Sequence, residues 1–174
     1  MPHHTPRKPA DDMKSMRYKL TRELWSREHH YPILDADNVE RYIVDCQSFA
    51  PGDKLSFQDS QGRELASIRE KVLSFKLVYA VYREGKLFAE IVKDFSFFKD
   101  SFTIDVPGPN DYSVKGDFWG HEYEFIRSGK PVARVSKGFC EEEDCYGVEI
   151  TEGEDDIVIL ATAVVLELIM HEQV

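Results

Sequence analysis

The sequence is short of positive charge, of cysteine and of long apolar runs, and each shortage removes a class of protein. Its 22 Lys and Arg face 32 Asp and Glu, a formal net charge of −10 at pH 7. That balance argues against an extended nucleic-acid surface, which must neutralise several phosphates, so no nucleic-acid partner is expected. Three cysteines (Cys46, Cys140 and Cys145) are too few, and odd in number, for a disulfide scaffold. Free thiols in a reducing cytoplasm are the expectation. Cys140 and Cys145 flank E-E-E-D and can face one another, but C-x4-C without a second pair is a poor zinc signature. The opening M-P-H-H-T-P-R-K-P-A-D-D-M-K-S has no apolar core and does not read as a secretory signal. It reads as a flexible tail over residues 1–16, ahead of one folded domain over residues 17–174.

Catalytic fingerprints are missing too. There is no G-x-S-x-G, no phosphate-binding G-x-x-x-x-G-K loop and no G-x-G-x-x-G, so neither an enzyme nor a cofactor is expected. The H-E-Y-E-F run from His121 lacks the second histidine of a zinc-protease helix, and its alternation puts Glu122 and Glu124 on one face of a strand. His29 and His30 have no companion ligands at a recognisable spacing, which favours a surface pair over a metal site. Glu141, Glu142, Glu143 and Asp144 offer oxygen ligands for calcium but lack the EF-hand spacing, so a solvated acidic turn is the plainer reading.

Strand signals dominate what is present. Hydrophobic residues make up 42% of the chain, with 11 Phe, 8 Tyr and 2 Trp, a globular composition. From about residue 19 to residue 150 short alternating runs such as K-L-S-F, S-F-T-I-D-V and H-E-Y-E-F-I are split by turn residues. Asn38, Gly62, Gly85, Gly108, Gly129 and Gly153 recur at intervals of 24, 23, 23, 21 and 24 residues. These residue types tolerate the positive φ of tight turns. The runs G-R-E-L-A-S-I from Gly62, G-K-L-F-A-E-I from Gly85 and G-K-P-V-A-R-V from Gly129 each place an Ala four residues after Gly and a β-branched residue at six. Tyr79, Phe102 and Tyr146 follow those alanines by thirteen residues. Asn38 and Gly108 head a variant with Tyr42 and Val44, and Tyr112 and Val114. A repeat of about 23 residues is a hairpin module. Five such turns, with a leading strand over residues 19–26, make room for roughly twelve antiparallel strands. A sheet of that size closes to remove its edges.

One apolar stretch stands apart, D-D-I-V-I-L-A-T-A-V-V-L-E-L-I-M from Asp155. Asp155 suits a helix N-cap, and acidic residues in the first turn complement the helix dipole. From Ile157 to Met170 only Thr162 and Glu167 are polar, so the helix must be buried on nearly all sides. At 1.5 Å per residue it spans about 24 Å, short of the roughly 30 Å hydrocarbon core of a bilayer. A closed sheet of twelve strands needs an internal plug, and this helix has the character of one.

A hairpin barrel ending in a buried apolar helix resembles the Tubby C-terminal-like fold. The particular motifs are similar to those of the LURP-one-related family. They are G-D-K-L-S-F-Q-D-S-Q-G-R-E-L-A-S-I-R-E-K from Gly52, G-D-F-W-G-H-E-Y-E-F from Gly116, P-V-A-R-V-S-K from Pro131, D-C-Y-G-V-E-I from Asp144 and the helix start E-D-D-I-V-I-L-A from Glu154. They occur in order over residues 18–170. The resemblance implies a twelve-stranded barrel around a central helix, with distant kinship to phosphoinositide-binding Tubby domains and to phospholipid scramblases. The C-E-E-E-D insertion after Phe139 departs from the family pattern.

Four cations form the candidate ligand site. Lys93 and Lys137 each follow an alanine of the repeat by four residues, with inward parity, and Arg69 and Lys71 lie nearby in the first copy. A lysine of inward parity at a strand end reaches solvent at the barrel rim, where several can gather a phosphate or an anionic lipid headgroup. Edge protection of the sheet is the plainer role for the same residues. Three functions follow as expectations: a non-enzymatic binding or scaffold protein, a scramblase-like membrane protein, or an enzyme with a rim pocket using a residue such as His121.

Overall fold

The computed structural model describes residues 15–21, 30–46, 54–72, 76–94 and 101–172. Twelve strands run in chain order: β1 (Ser15–Thr21), β2 (His30–Asp35), β3 (Glu40–Cys46), β4 (Lys54–Asp59), β5 (Glu64–Val72), β6 (Leu77–Arg83), β7 (Lys86–Asp94), β8 (Ser101–Asp105), β9 (Tyr112–Asp117), β10 (Glu122–Arg127), β11 (Lys130–Ser136) and β12 (Cys145–Thr151). Each is antiparallel to its sequence neighbour, and β1 also pairs with β12, which closes the barrel. One helix, α1 (Asp156–Glu172), follows β12. The strand count, the closure and the C-terminal helix agree with the sequence expectation. β1 begins at Ser15, two residues inside the expected tail. The expected leading strand over residues 19–26 is a strand only to Thr21 within the described residues.

The hairpin rhythm has a structural cause. Asn38, Gly62, Gly85, Gly108, Gly129 and Gly153 all have positive φ, and all lie at one end of the barrel, here the turn end. Just past these turns the register slips at Ile33/Leu34, Phe57/Gln58, Val81/Tyr82 and Phe125/Ile126. Such bulges sharpen twist and help a sheet curl closed. The repeated alanines sit just beyond the slip and pair across it with large residues: Ala66 with Phe57, Ala89 with Val81, Ala133 with Phe125. All six of these side chains are buried. A small residue beside a large one lets the wall fill its interior without overlap.

α1 occupies that interior. From Val158 to Met170 every residue is buried except Glu167, which is partly so. Phe57, Phe102, Phe125, Tyr146, Ile68, Ile91, Val135 and Val148 of the wall are buried with it in one apolar cluster. Among the described residues no helix is long and apolar enough to cross a membrane.

Candidate functional site

The connections opposite the hairpin turns make up the loop end, and the sequence-derived candidates distribute themselves over it. Ala66 and Ile68 point inward on β5, so Arg69 and Lys71 alternate to the outer face. Lys71 Nζ lies 2.6 Å from Glu90 Oε1 on β7, and that hydrogen bond raises the lysine pKa. Lys93 continues the inward series of Ala89 and Ile91 to the loop end of β7 and is half-buried. Lys137 sits elsewhere. β11 stops at Ser136, and Lys137 opens a short 3₁₀ turn (Lys137–Phe139), with its side chain exposed and its backbone N–H donating to Glu122 Oε1 at 3.1 Å. β11 lies four places round the barrel from β7, about 19 Å at the usual strand spacing. Arg69, Lys71 and Lys93 therefore share an arc of three strands, and Lys137 does not.

A fourth cation joins that arc. Lys54 on β4 stands directly opposite Arg69 in the register, and the neighbouring pair Leu55–Ile68 points inward, so both cations face outward. Lys54 Nζ is 3.1 Å from Glu64 Oε2. Arg69 has no ion pair among the described residues. Counting equal distances from the Asp59–Arg63 closure of the turn sets Lys54 against Ile68, and the bulge at Phe57/Gln58 shifts it by one residue onto Arg69.

Beneath the same end lies a buried polar cluster. His121 follows the turn after β9 with φ at +54°. Its Nε2 is 2.5 Å from Glu167 Oε2, the one carboxylate in the apolar body of α1, and the side chains are 10% and 12% exposed. The imidazole stacks on Tyr146 with ring centroids 4.5 Å apart. His121 Nδ1 is buried with no hydrogen-bond partner among the described residues. Burial raises the pKa of Tyr31, Tyr123 and Tyr146, and the nearby Glu167 charge adds to each. Tyr31 OH donates to the Thr21 carbonyl. Gly116 makes the His121 turn possible, since a Cβ there would sit 2.5 Å from the Glu122 carbonyl oxygen. The exposed Trp119 marks the tip of the turn.

The remaining candidates fall out as follows. Glu122 and Glu124 lie on the outward side of β10, alternating with buried Tyr123 and Phe125. His30 is exposed at the start of β2, and His29 lies outside the described residues. Glu141 to Asp144 are all exposed, and among the described residues no three His, Cys, Asp or Glu side chains converge as metal ligands. The cysteines correct the expectation of free thiols. Cys140 and Cys145 are joined by a disulfide, with Cα atoms 5.8 Å apart. The bend of the E-E-E-D loop, in which Cys145 N donates to Glu142 O at 3.4 Å, turns its two ends together. The Cys46 side chain is outside what the structure describes. Free thiols therefore no longer support a reducing compartment.

The turn end is built differently. Asp155 caps α1, accepting from Val158 N at 3.2 Å, and receives both Arg83 amino groups at 2.9 and 2.5 Å. Tyr18 OH donates to Asp156 at 2.6 Å, and Arg127 and Tyr112 donate to Glu154 at 2.6 and 3.1 Å. Burial, then the Glu154 charge, push the Tyr112 hydroxyl up to about 12. Three carboxylates at the helix N-terminus leave no anion site there, despite the favourable dipole. A cleft of about 410 Å³ opens at this end between β1 and the β2–β3 turn, but its Arg17 and Arg41 are paired with Glu149 and Asp35.

Comparison with known proteins agrees with this architecture. The chain is 30% identical over 152 residues to the uncharacterized protein YxjI of Bacillus subtilis (strain 168), spanning 87% of this chain and 92% of that one. The X-ray structure of a protein from Arabidopsis thaliana superposes with a TM-score of 0.68 at 16% identity, covering 89% of this chain and 91% of that chain, a likeness of fold alone. The LURP-one-related family model matches residues 16–167, and the chain belongs to the LURP-one-related family.

Proposed function

We propose that this is a non-catalytic binding or scaffold protein that takes a phosphate-bearing anion, foremost a lipid headgroup, on the outer face of β4 and β5 at the loop end. The observation that carries the reading is the direct opposition of Lys54 and Arg69, with Lys71 next on the same face. Like charges placed directly across an antiparallel pair destabilise it. Lys54 relieves that repulsion by leaning to Glu64; a phosphate accepting hydrogen bonds from both cations would draw it back toward Arg69, whose planar guanidinium suits a two-point contact. Lys71 borders the site through its bridge to Glu90, and Lys93, of inward parity on β7, lies off the outer face that forms it. Lys137 is a separate exposed cation outside the site. The reading assigns the protein to the cytoplasm, with no nucleic-acid partner.

Flotation tests it. At low salt the protein should rise with phosphatidylcholine vesicles containing phosphatidylserine or a phosphoinositide, and the Arg69→Ser/Lys71→Ser variant should stay behind. Titration with inositol hexakisphosphate separates a lipid surface from phosphate chemistry alone. Failure to float while binding that ligand removes the lipid, and failure of both removes the site.

His121 and Glu167 favour one further reading, since a histidine held by a carboxylate is an acid–base arrangement. Their burial between α1 and the wall suits a lock better than a catalyst, because a general base needs reach to a substrate proton.

A further inference from the structure

The β11–β12 connection carries the Cys140–Cys145 bond with four exposed acids, Glu141, Glu142, Glu143 and Asp144, between its sulfurs. Its base is fastened without those sulfurs. Gly138 N donates to Ser136 Oγ at 3.0 Å, and Cys140 N donates to the Lys137 carbonyl at 3.1 Å. Phe139 lies so close to Gly147 of β12 that a Cβ there would come within 2.4 Å of the Phe139 Cβ. Arg17 and Arg134 stack over the Phe139 ring, 4.6 and 5.8 Å from its centroid. Breaking the sulfur bond therefore releases the acidic loop and leaves the barrel closed.

We propose that Cys140–Cys145 is an exchangeable redox disulfide whose acidic loop selects its thiol partner by charge, admitting cationic and neutral thiols and holding off anionic ones such as glutathione. The two sulfurs differ in access, since Cys145 is 3% exposed and Cys140 is half-buried. An incoming thiolate attacks Cys140 Sγ and the sulfur–sulfur bond breaks. The electron pair leaves on Cys145 Sγ, which takes a proton from water. A second thiolate attacks the external sulfur of the mixed disulfide, which frees Cys140 and yields the oxidised external disulfide, two electrons having entered the protein. The attacking thiolate must approach Cys140 past a loop of four exposed carboxylates. Arg17, Arg134 and Lys137 beside the turn are three cations against four carboxylates, and Arg17 is already paired with Glu149, so the loop stays acidic on balance. At close range and low salt such repulsion is worth about a tenfold change in rate between oppositely charged thiols. The bond thus opens more slowly to glutathione than to a dithiol protein with a basic face.

The test follows disulfide opening in the full chain by alkylation and intact mass. The thiols are cysteamine, 2-mercaptoethanol and 2-mercaptoethanesulfonate at matched thiolate concentrations, with a small neutral disulfide as the reference. At low salt, cysteamine should open the bond about tenfold faster than the sulfonate relative to that reference. High salt and the Glu141→Gln/Glu142→Gln/Glu143→Gln variant should each collapse the ratio. A ratio indifferent to both overturns the proposal, as does alkylation of all three cysteines in the air-oxidised, denatured protein. None of these outcomes depends on the phosphate site.

Discussion

At the turn end α1 is held by partly exposed ion pairs, with Arg83 and Asp155 25% and 28% exposed. At the loop end it is held by His121 and Glu167, which are about 90% buried. The turn-end contacts coincide with a hairpin copied five times, each with a positive-φ residue at its turn and four of the five with a bulge beside it. At the loop end the two described connections differ, one a short turn leading to His121 and the other a 3₁₀ turn with the disulfide, and the same end carries the opposed Lys54 and Arg69 and the exposed Trp119. Recurrent turns at one end fix the helix and the wall, and the described loops at the other are where chemistry can vary.

The largest effect comes from breaking what both ends share. Val164 is fully buried at mid-helix, and Val164→Asp puts a charge where nothing can pair it, which exceeds the roughly 5–15 kcal/mol that hold a domain folded. Far-UV dichroism and size exclusion should report an unfolded or aggregated chain. A folded, monomeric variant would mean that α1 is not the centre of the core.

Next comes the loop-end lock. Glu167→Leu strands a buried histidine and should cost about 3–5 kcal/mol in urea unfolding. The double variant Glu167→Leu/His121→Phe removes both polar partners and should recover most of that loss, as apolar replacements of buried pairs often do. A double variant as poor as the single one would show that the pair itself supplies the stability.

Much of this architecture was legible because it is local. Turn rhythm, alternation and the apolar helix each arise from residues a few positions apart, so Gly62, Ala66 and Ile68 could be read as a turn, a repeated small residue and a β-branched strand position, while the bulge beside Ala66 could not. His121 and Glu167 are 46 residues apart and meet only once the barrel has closed round α1. Inward parity at Lys93 followed from counting along an uninterrupted strand. The same count fails at Lys137, because Ser136 ends β11 and caps a 3₁₀ turn. The Cys140–Cys145 bond was open to sequence as a possibility but not as a fact, since spacing alone does not say which way the acidic loop bends.

The turn-end pin should matter less than the loop-end lock. Arg83→Met keeps an unbranched side chain of similar length but loses the guanidinium, with its stacking over Phe88 and both bonds to Asp155. A partly exposed, charge-assisted pair of this kind is worth about 1–2 kcal/mol. Amide exchange should speed first in the opening turn of α1 while the His121 end stays protected. Equal loosening of both ends would erase the contrast between them.

The smallest effect lies in two turns whose capping passed unnoticed in the sequence, although an aspartate stands three residues before the positive-φ residue in both. Asp35 Oδ1 accepts from Asp37 N and Val39 N at 2.8 and 3.0 Å, and Oδ2 from Arg41 Nε at 2.7 Å. Asp59 repeats the pattern with Gln61 N, Arg63 N and Arg63 Nε at 2.9, 3.0 and 2.9 Å. The backbone N–H of Val39, then Arg41, hold the Asp35 carboxyl below its usual pKa, and the backbone N–H of Arg63 does the same first for Asp59. A depressed folded pKa means stability fully present above the unfolded-state value of about 4 and lost as pH falls through the folded one. Acid should therefore weaken the turn end before the carboxyl-free parts of the barrel wall, and Asp35→Asn/Asp59→Asn should flatten that acid slope while changing stability little at neutral pH. An unchanged slope below about pH 4 in the double variant would show that these two turns are not the source of the acid sensitivity.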